Sequence, residues 1–182
     1  MTIRSIFFYL DRSHLLQTSS PSIHDTAVTQ FRTHIFGDPL LRTKIIDGTC
    51  DLLLADRKGS SLDHSLFRDA VKLFHDLAVY TTDFEPRMLH LSQDYISKWA
   101  DRECSERVLA DYVEECLGFI ETEMKRCELF EFDATTRRAL LTLLEHHLVE
   151  RKEADLSKCF MRPISLSLST QVAFGVARHD ML

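Results

Sequence analysis

The residues best suited to chemistry in this chain are scattered, and their spacing argues against a reaction centre. Glu145-His146-His147 with Glu150 is the nearest approach to a metal cluster. Imidazole and carboxylate groups are good ligands for a zinc-like cation. On a helix, however, adjacent histidines point about 100° apart, unlike an i, i+4 pair that shares one face. Ser13-His14 and Asp11-Arg12 each set a nucleophile or an acid beside a basic neighbour. These neighbours diverge in the same way and no third group orients them, so no catalytic residue is expected. Cys50, Cys104, Cys116, Cys127 and Cys159 are odd in number and lack a C-x-x-C spacing, which fits reduced thiols rather than a disulfide framework or a zinc module. Cys116 and Cys127 are spaced by about three helical turns and suit a packed core. Gly59 stands alone between Lys58 and Ser60 as a helix stop, not a phosphate loop. Neither a cofactor nor a metal is expected.

What the chain has instead is apolar surface that must be placed. Its 182 residues are 45% hydrophobic, with only 5 Gly and 4 Pro, so long segments run without the turn chemistry that an all-β chain needs. The 22 Lys and Arg against 28 Asp and Glu give a formal charge of -6. That balance disfavours a general nucleic-acid or anionic-membrane binder, which relies on basic surface. The run Ile6-Phe7-Phe8-Tyr9-Leu10 is too short to span a bilayer, is interrupted by Asp11 and Arg12, and lacks a signal-peptide cleavage site, so no targeting or transmembrane segment is expected.

The periodicity predicts seven helices and no sheet. The first holds Ile3 to Leu15 and ends at Gln17 to Pro21. Ser22 with Asp25 forms a capping box for a second helix reaching Ile35. Gly37-Asp38-Pro39 closes that helix and opens a third, which carries Leu40, Leu41, Ile45, Ile46, Cys50, Leu53 and Leu54 and stops at Arg57-Lys58-Gly59. A fourth spans about Asp63 to Tyr80 with Leu66, Phe67, Ala70, Phe74 and Leu77 as its stripe. Thr82 with Glu85 predicts a capping box for a fifth, loosening near Asp101 to Ser105. The sixth runs roughly from Glu106 to Phe130 with Leu109, Tyr112, Val113, Cys116, Leu117, Ile120 and Met124 inward. The seventh is capped by Asp133 and reaches Leu148. The tail from Pro163 alternates Ile164, Leu166 and Leu168 with serines and has no sheet to join, so it is expected to be poorly ordered.

The first helix is the candidate functional element. At 100° per residue, Ile3, Ile6, Phe7 and Leu10 share one face, whereas Phe8 and Leu15 lie nearly opposite, flanked by Arg4 and Arg12. One face can pack on the chain's own core. The other, formed by Arg4, Phe8, Tyr9, Arg12 and Leu15, has the aromatic and arginine content of a protein-binding surface.

Four sets of residues carry a family resemblance. They are Y-L-D-R-x-x-L-L-Q at 9–17, P-S-I-x-D with F-R-x-H at 21–34, I-D-G with Leu52-Leu53 and R-x-G at 46–59, and L-D-x-x-L, D-L-x-V-Y and D-F-E at 62–85. Together they resemble the cullin family, and the spacing is closest to its cullin four branch. The likeness continues more weakly through Tyr95, Glu106, Tyr112 and Thr136 to about Cys159.

The resemblance implies an all-α scaffold built of five-helix cullin repeats, active in a ubiquitin ligase and present in nucleus and cytoplasm. On this alignment, residues 1–17 are the terminal helix of a first repeat, 18–160 a second repeat, and 161–182 a divergent tail. In the cullin four branch the first repeat docks a β-propeller adaptor, which makes the opening helix part of a partner surface. The chain would begin inside one repeat and stop near the end of the next, without the RING-binding region or the acceptor lysine. It is therefore expected to be a non-enzymatic fragment. The alternative is a free-standing interaction module, or an inert truncated product, that sequesters an adaptor. Phe7, Phe8 and Leu10, deprived of bundle partners, would be partly uncovered and prone to self-association.

Overall fold

The computed structural model describes residues 3–15 and 20–152. Among them are seven α-helices: α1 (Ile3–Leu15), α2 (Ile23–Phe31), α3 (Pro39–Arg57), α4 (His64–Asp76), α5 (Glu85–Glu106), α6 (Leu109–Leu129) and α7 (Ala134–Leu148). No strand occurs among the described residues. The tail from residue 161, expected to be poorly ordered, lies outside them.

Local chemistry explains three of the helix starts. Ser22 accepts from the Asp25 N–H, and Asp25 reaches back to the Ser22 N–H, closing the predicted capping box. Asp38 accepts from the N–H groups of Leu40 and Leu41, with Pro39 in the first turn. Asp63 caps α4 through the N–H groups of Ser65 and Leu66. The box predicted at Thr82 does not form. A π-turn over Tyr80–Phe84 leads straight into α5, so Thr82 donates to Asp83, while Glu85 accepts from Thr136 of α7. Asp133 precedes α7, but its side chain makes no capping bond. The second helix likewise turns into a π-turn at Arg32–Phe36. Gly37 is needed there for space rather than for a left-handed backbone, because a Cβ would meet the Thr33 carbonyl oxygen at 2.4 Å.

Three helix ends share one device. At Gly59, Ala78 and Glu131 the backbone turns left-handed, with φ of 83°, 54° and 57°. In each case the two following hydrogen bonds close a Schellman motif. Gly59 N–H donates to the Asp56 carbonyl and Ser60 to Ala55; Ala78 to His75 and Val79 to Phe74; Glu131 to Glu128 and Phe132 to Cys127. This is why α4 stops at Asp76 rather than at Tyr80: an alanine occupies the position where glycine would have marked the end. The fifth helix, by contrast, continues through Asp101 to Ser105 and breaks at Arg107, whose backbone is extended.

Two neighbouring core clusters hold the helices together. In the first, Phe36, Phe67, Phe74, Tyr80, Phe84, Phe130 and Phe132 pack with Leu53, Met88 and Leu140. The rings of Phe67 and Phe130 lie 4.4 Å apart, and those of Phe74 and Phe84 lie 4.9 Å apart. In the second, Ile96, Ala100, Tyr112, Cys116, Leu144 and Leu148 join α5, α6 and α7. Met124 packs against both. Each fully buried large side chain contributes about 1.5–3 kcal/mol of transfer free energy.

The predicted stripes are rotated in places. Leu40, Leu66, Val113 and Leu117 were expected inward and are exposed. On α6 the reason is Glu123, which sits on the inward face with Tyr112, Cys116 and Cys127 and is held there by Arg57. A buried ion pair turns the helix away from the face that hydrophobicity alone selects.

Candidate functional site

Helix α1 meets α2 at a groove of about 720 Å³ whose walls include Leu10, Asp11, Pro21, Ile23 and Ala27. Asp11 fixes the junction: its Oδ1 accepts the Ile23 N–H at 2.9 Å, satisfying a first-turn donor of α2 that Ser22 does not reach. The spacing of the sequence gives no signal for this long-range cap. Ser13 donates its hydroxyl to the Tyr9 carbonyl, which commits it to backbone rather than to chemistry.

The proposed partner face is open. Phe8 is 57% exposed and Tyr9 72%, with Leu15 at 39% and Arg12 also exposed. The Arg4 side chain lies outside the described residues. The opposite face is hardly better covered, since Ile6, Phe7 and Leu10 are about half exposed, as expected for an uncovered helix. The two faces together make α1 the main accumulation of exposed aromatic surface among the described residues.

The polar groups elsewhere are structural. His146 and His147 tilt by 78° to one another at 5.0 Å; His146 meets Glu150 in solvent, and His147 is buried. Burial pushes the Cys50 thiol up to about 12 and that of Cys127 to about 11, as suits inert core sulfur. The Tyr80 hydroxyl bonds Thr136 at 2.9 Å, and burial raises its pKa to about 12.

The sequence reading missed the buried polar junction of α3, α5 and α6. Arg57 donates to Glu123 through Nε and Nη2, the latter at 2.6 Å, and to Ser92 Oγ through Nη1 at 3.0 Å. Arg126 bridges Glu123 and Asp56, and the Tyr95 ring lies 5.4 Å from the Arg57 guanidinium. The available signal was a charge at an inward helical position: Arg57 falls four residues after Leu53, and Glu123 seven after Cys116.

The described residues form an all-α stack with a closed polar junction and one exposed aromatic helix. The chain belongs to the cullin family: the family model for the cullin alpha solenoid domain matches residues 1–166. It is 34% identical to Cullin-4A of Homo sapiens over 148 residues, 81% of this chain and 19% of that protein. Cullin-4A of Mus musculus is 33% identical over the same shares. Cullin-4 of Dictyostelium discoideum is 26% identical over 151 residues, 82% of this chain and 19% of that protein. These matches agree with the motif spacing, and the chain spans about a fifth of the length of these relatives.

Proposed function

We propose that this chain is a non-catalytic scaffold segment of a cullin-RING ubiquitin ligase, serving ubiquitin-dependent protein degradation in nucleus and cytoplasm, with α1 as part of the surface that receives a β-propeller adaptor. The observation that carries the reading is the exposed array of Phe8, Tyr9, Arg12 and Leu15 on a helix of a cullin-family chain. Aromatic and arginine side chains dominate binding energy at protein interfaces, and truncating such an anchor costs about 2 kcal/mol or more.

Titration calorimetry of the chain against the β-propeller adaptor of a cullin four type ligase tests this, with Phe8→Asp/Tyr9→Asp beside it. Specific binding that falls about thirtyfold or more in the variant supports the reading. Absence of binding from a chain that is helical by circular dichroism overturns the docking role of α1. Tight binding without ligase assembly would make the chain a sequestering module instead.

A further inference from the structure

Two surfaces away from α1 remain unpartnered, and they complement each other. The first is a groove of about 710 Å³ between α5 and α7. Both helices begin at the same end of the groove: Thr136 of α7 bonds Glu85 of α5, and Lys152 beyond α7 bonds Asp101 of α5. Leu89 and Leu143 form its apolar walls, and the small Ala139 and Thr142 leave room between them. Its one charged side chain is Arg138, which lies in the same lining as the imidazole of His90, and no carboxylate is in the lining. Both are exposed, and neither joins an ion pair among the described residues. The groove opens on the face of α7 turned away from Thr136, Leu140 and Leu144, which the helix buries.

The second surface is the flank of α6 that the ion pair at Glu123 leaves outside. Ala110, Val113 and Leu117 form a stripe at i, i+3 and i+7, with Leu117 64% exposed and Val113 46%. Glu114 and Glu121 run along its outer edge, and Asp111 adds a further carboxylate. Glu121 is shared with Lys125, but Glu114 and Asp111 join no ion pair among the described residues. The result is an amphipathic helix face with apolar knobs and an acidic border, opposite in charge to Arg138 at the rim of the groove.

We propose that the α5–α7 groove receives the α6 stripe of a second copy of this chain. The charge pattern favours this occupant over the chain's own tail, whose residues 161–182 carry Arg162 and Arg178 against Asp180 alone and would bring cations to Arg138. Because donor and acceptor surfaces differ, the contact is heterologous: each copy offers its stripe to one neighbour and its groove to another. Such contacts propagate head to tail unless the rotation closes a ring.

Sedimentation velocity over a concentration series, at low and high salt, tests the contact in the Phe8→Asp/Tyr9→Asp background, which removes association through α1. Mass should rise with concentration and fall with salt. Arg138→Glu and Glu114→Arg, both at exposed positions, should each weaken association about tenfold, and the two together in one chain should restore it by exchanging the signs. A chain that stays monomeric throughout overturns the proposal, as does association indifferent to both single changes, or their loss without recovery in the double variant. Binding of a separate acidic amphipathic helix to the groove of a chain that does not self-associate would assign the surface to another protein and equally overturn it.

Discussion

Helix α1 and the Arg57–Glu123 junction invert the usual placement of side chains. The first exposes six large apolar residues, Ile6 to Leu10 and Leu15, on a helix anchored by Asp11. The second buries a guanidinium and a carboxylate whose side chains are 1% and 2% exposed. The junction is closed: Arg57 spends its donors on Glu123 and Ser92, and Glu123 also accepts from Arg126. The first helix is open, with most of its apolar surface exposed to solvent. A buried polar group that is fully paired belongs to the fold, whereas an apolar patch left largely exposed to solvent points outward to a partner.

The sharpest way to break this comparison is to open the junction. Glu123→Ala leaves the Arg57 charge buried beside a carboxylate-sized void, and about 3–5 kcal/mol of stability should be lost, read from urea denaturation midpoints. Replacing both partners, Arg57→Met with Glu123→Leu, removes the unpaired charge and should return the chain to within about 1 kcal/mol of its starting stability. If the single change costs less than about 1 kcal/mol, water or a neighbouring carboxylate such as Asp56 takes up the Arg57 charge and the closure of the junction is incomplete.

A smaller effect, opposite in sign, is expected at the end of α4. Ala78 holds a left-handed φ of 54° and is exposed, so its Cβ is strained without packing in return. Ala78→Gly should stabilise the chain by about 0.5–1 kcal/mol, raising the thermal midpoint while leaving far-ultraviolet helicity unchanged. A loss of stability instead would show that the added freedom of the unfolded chain outweighs the relief of strain.

The same positions mark where the sequence could be read and where it could not. Ser22, Asp38 and Asp63 announce their helices because a cap is a local bond between near neighbours. Ala78 and Glu131 hide two helix ends, since a Schellman turn depends on backbone geometry that these residues adopt only under tertiary constraint. Val113 and Leu117 were placed inward by hydrophobicity, but the pairing of Glu123 with a residue sixty-six positions away reoriented the face. Of the candidate site, the two-sided apolar character of α1 was legible in its periodicity. Its attachment through Asp11 was not, because a cap supplied from twelve residues away has no spacing rule.

The smallest stability change is expected where the functional change is largest. Phe8 and Tyr9 are more than half exposed, so Phe8→Asp/Tyr9→Asp removes little buried area and should alter the unfolding free energy by no more than about 0.5 kcal/mol. Neither residue borders the α1–α2 groove or touches the Asp11 cap, so the helix should stay attached. Binding of an apolar dye should nevertheless fall, because the double change breaks the exposed patch with two charges. A stability loss above about 1 kcal/mol would mean that this face is covered within the folded chain in solution. The contrast with the junction would then vanish, because α1 would be another closed surface rather than an open one.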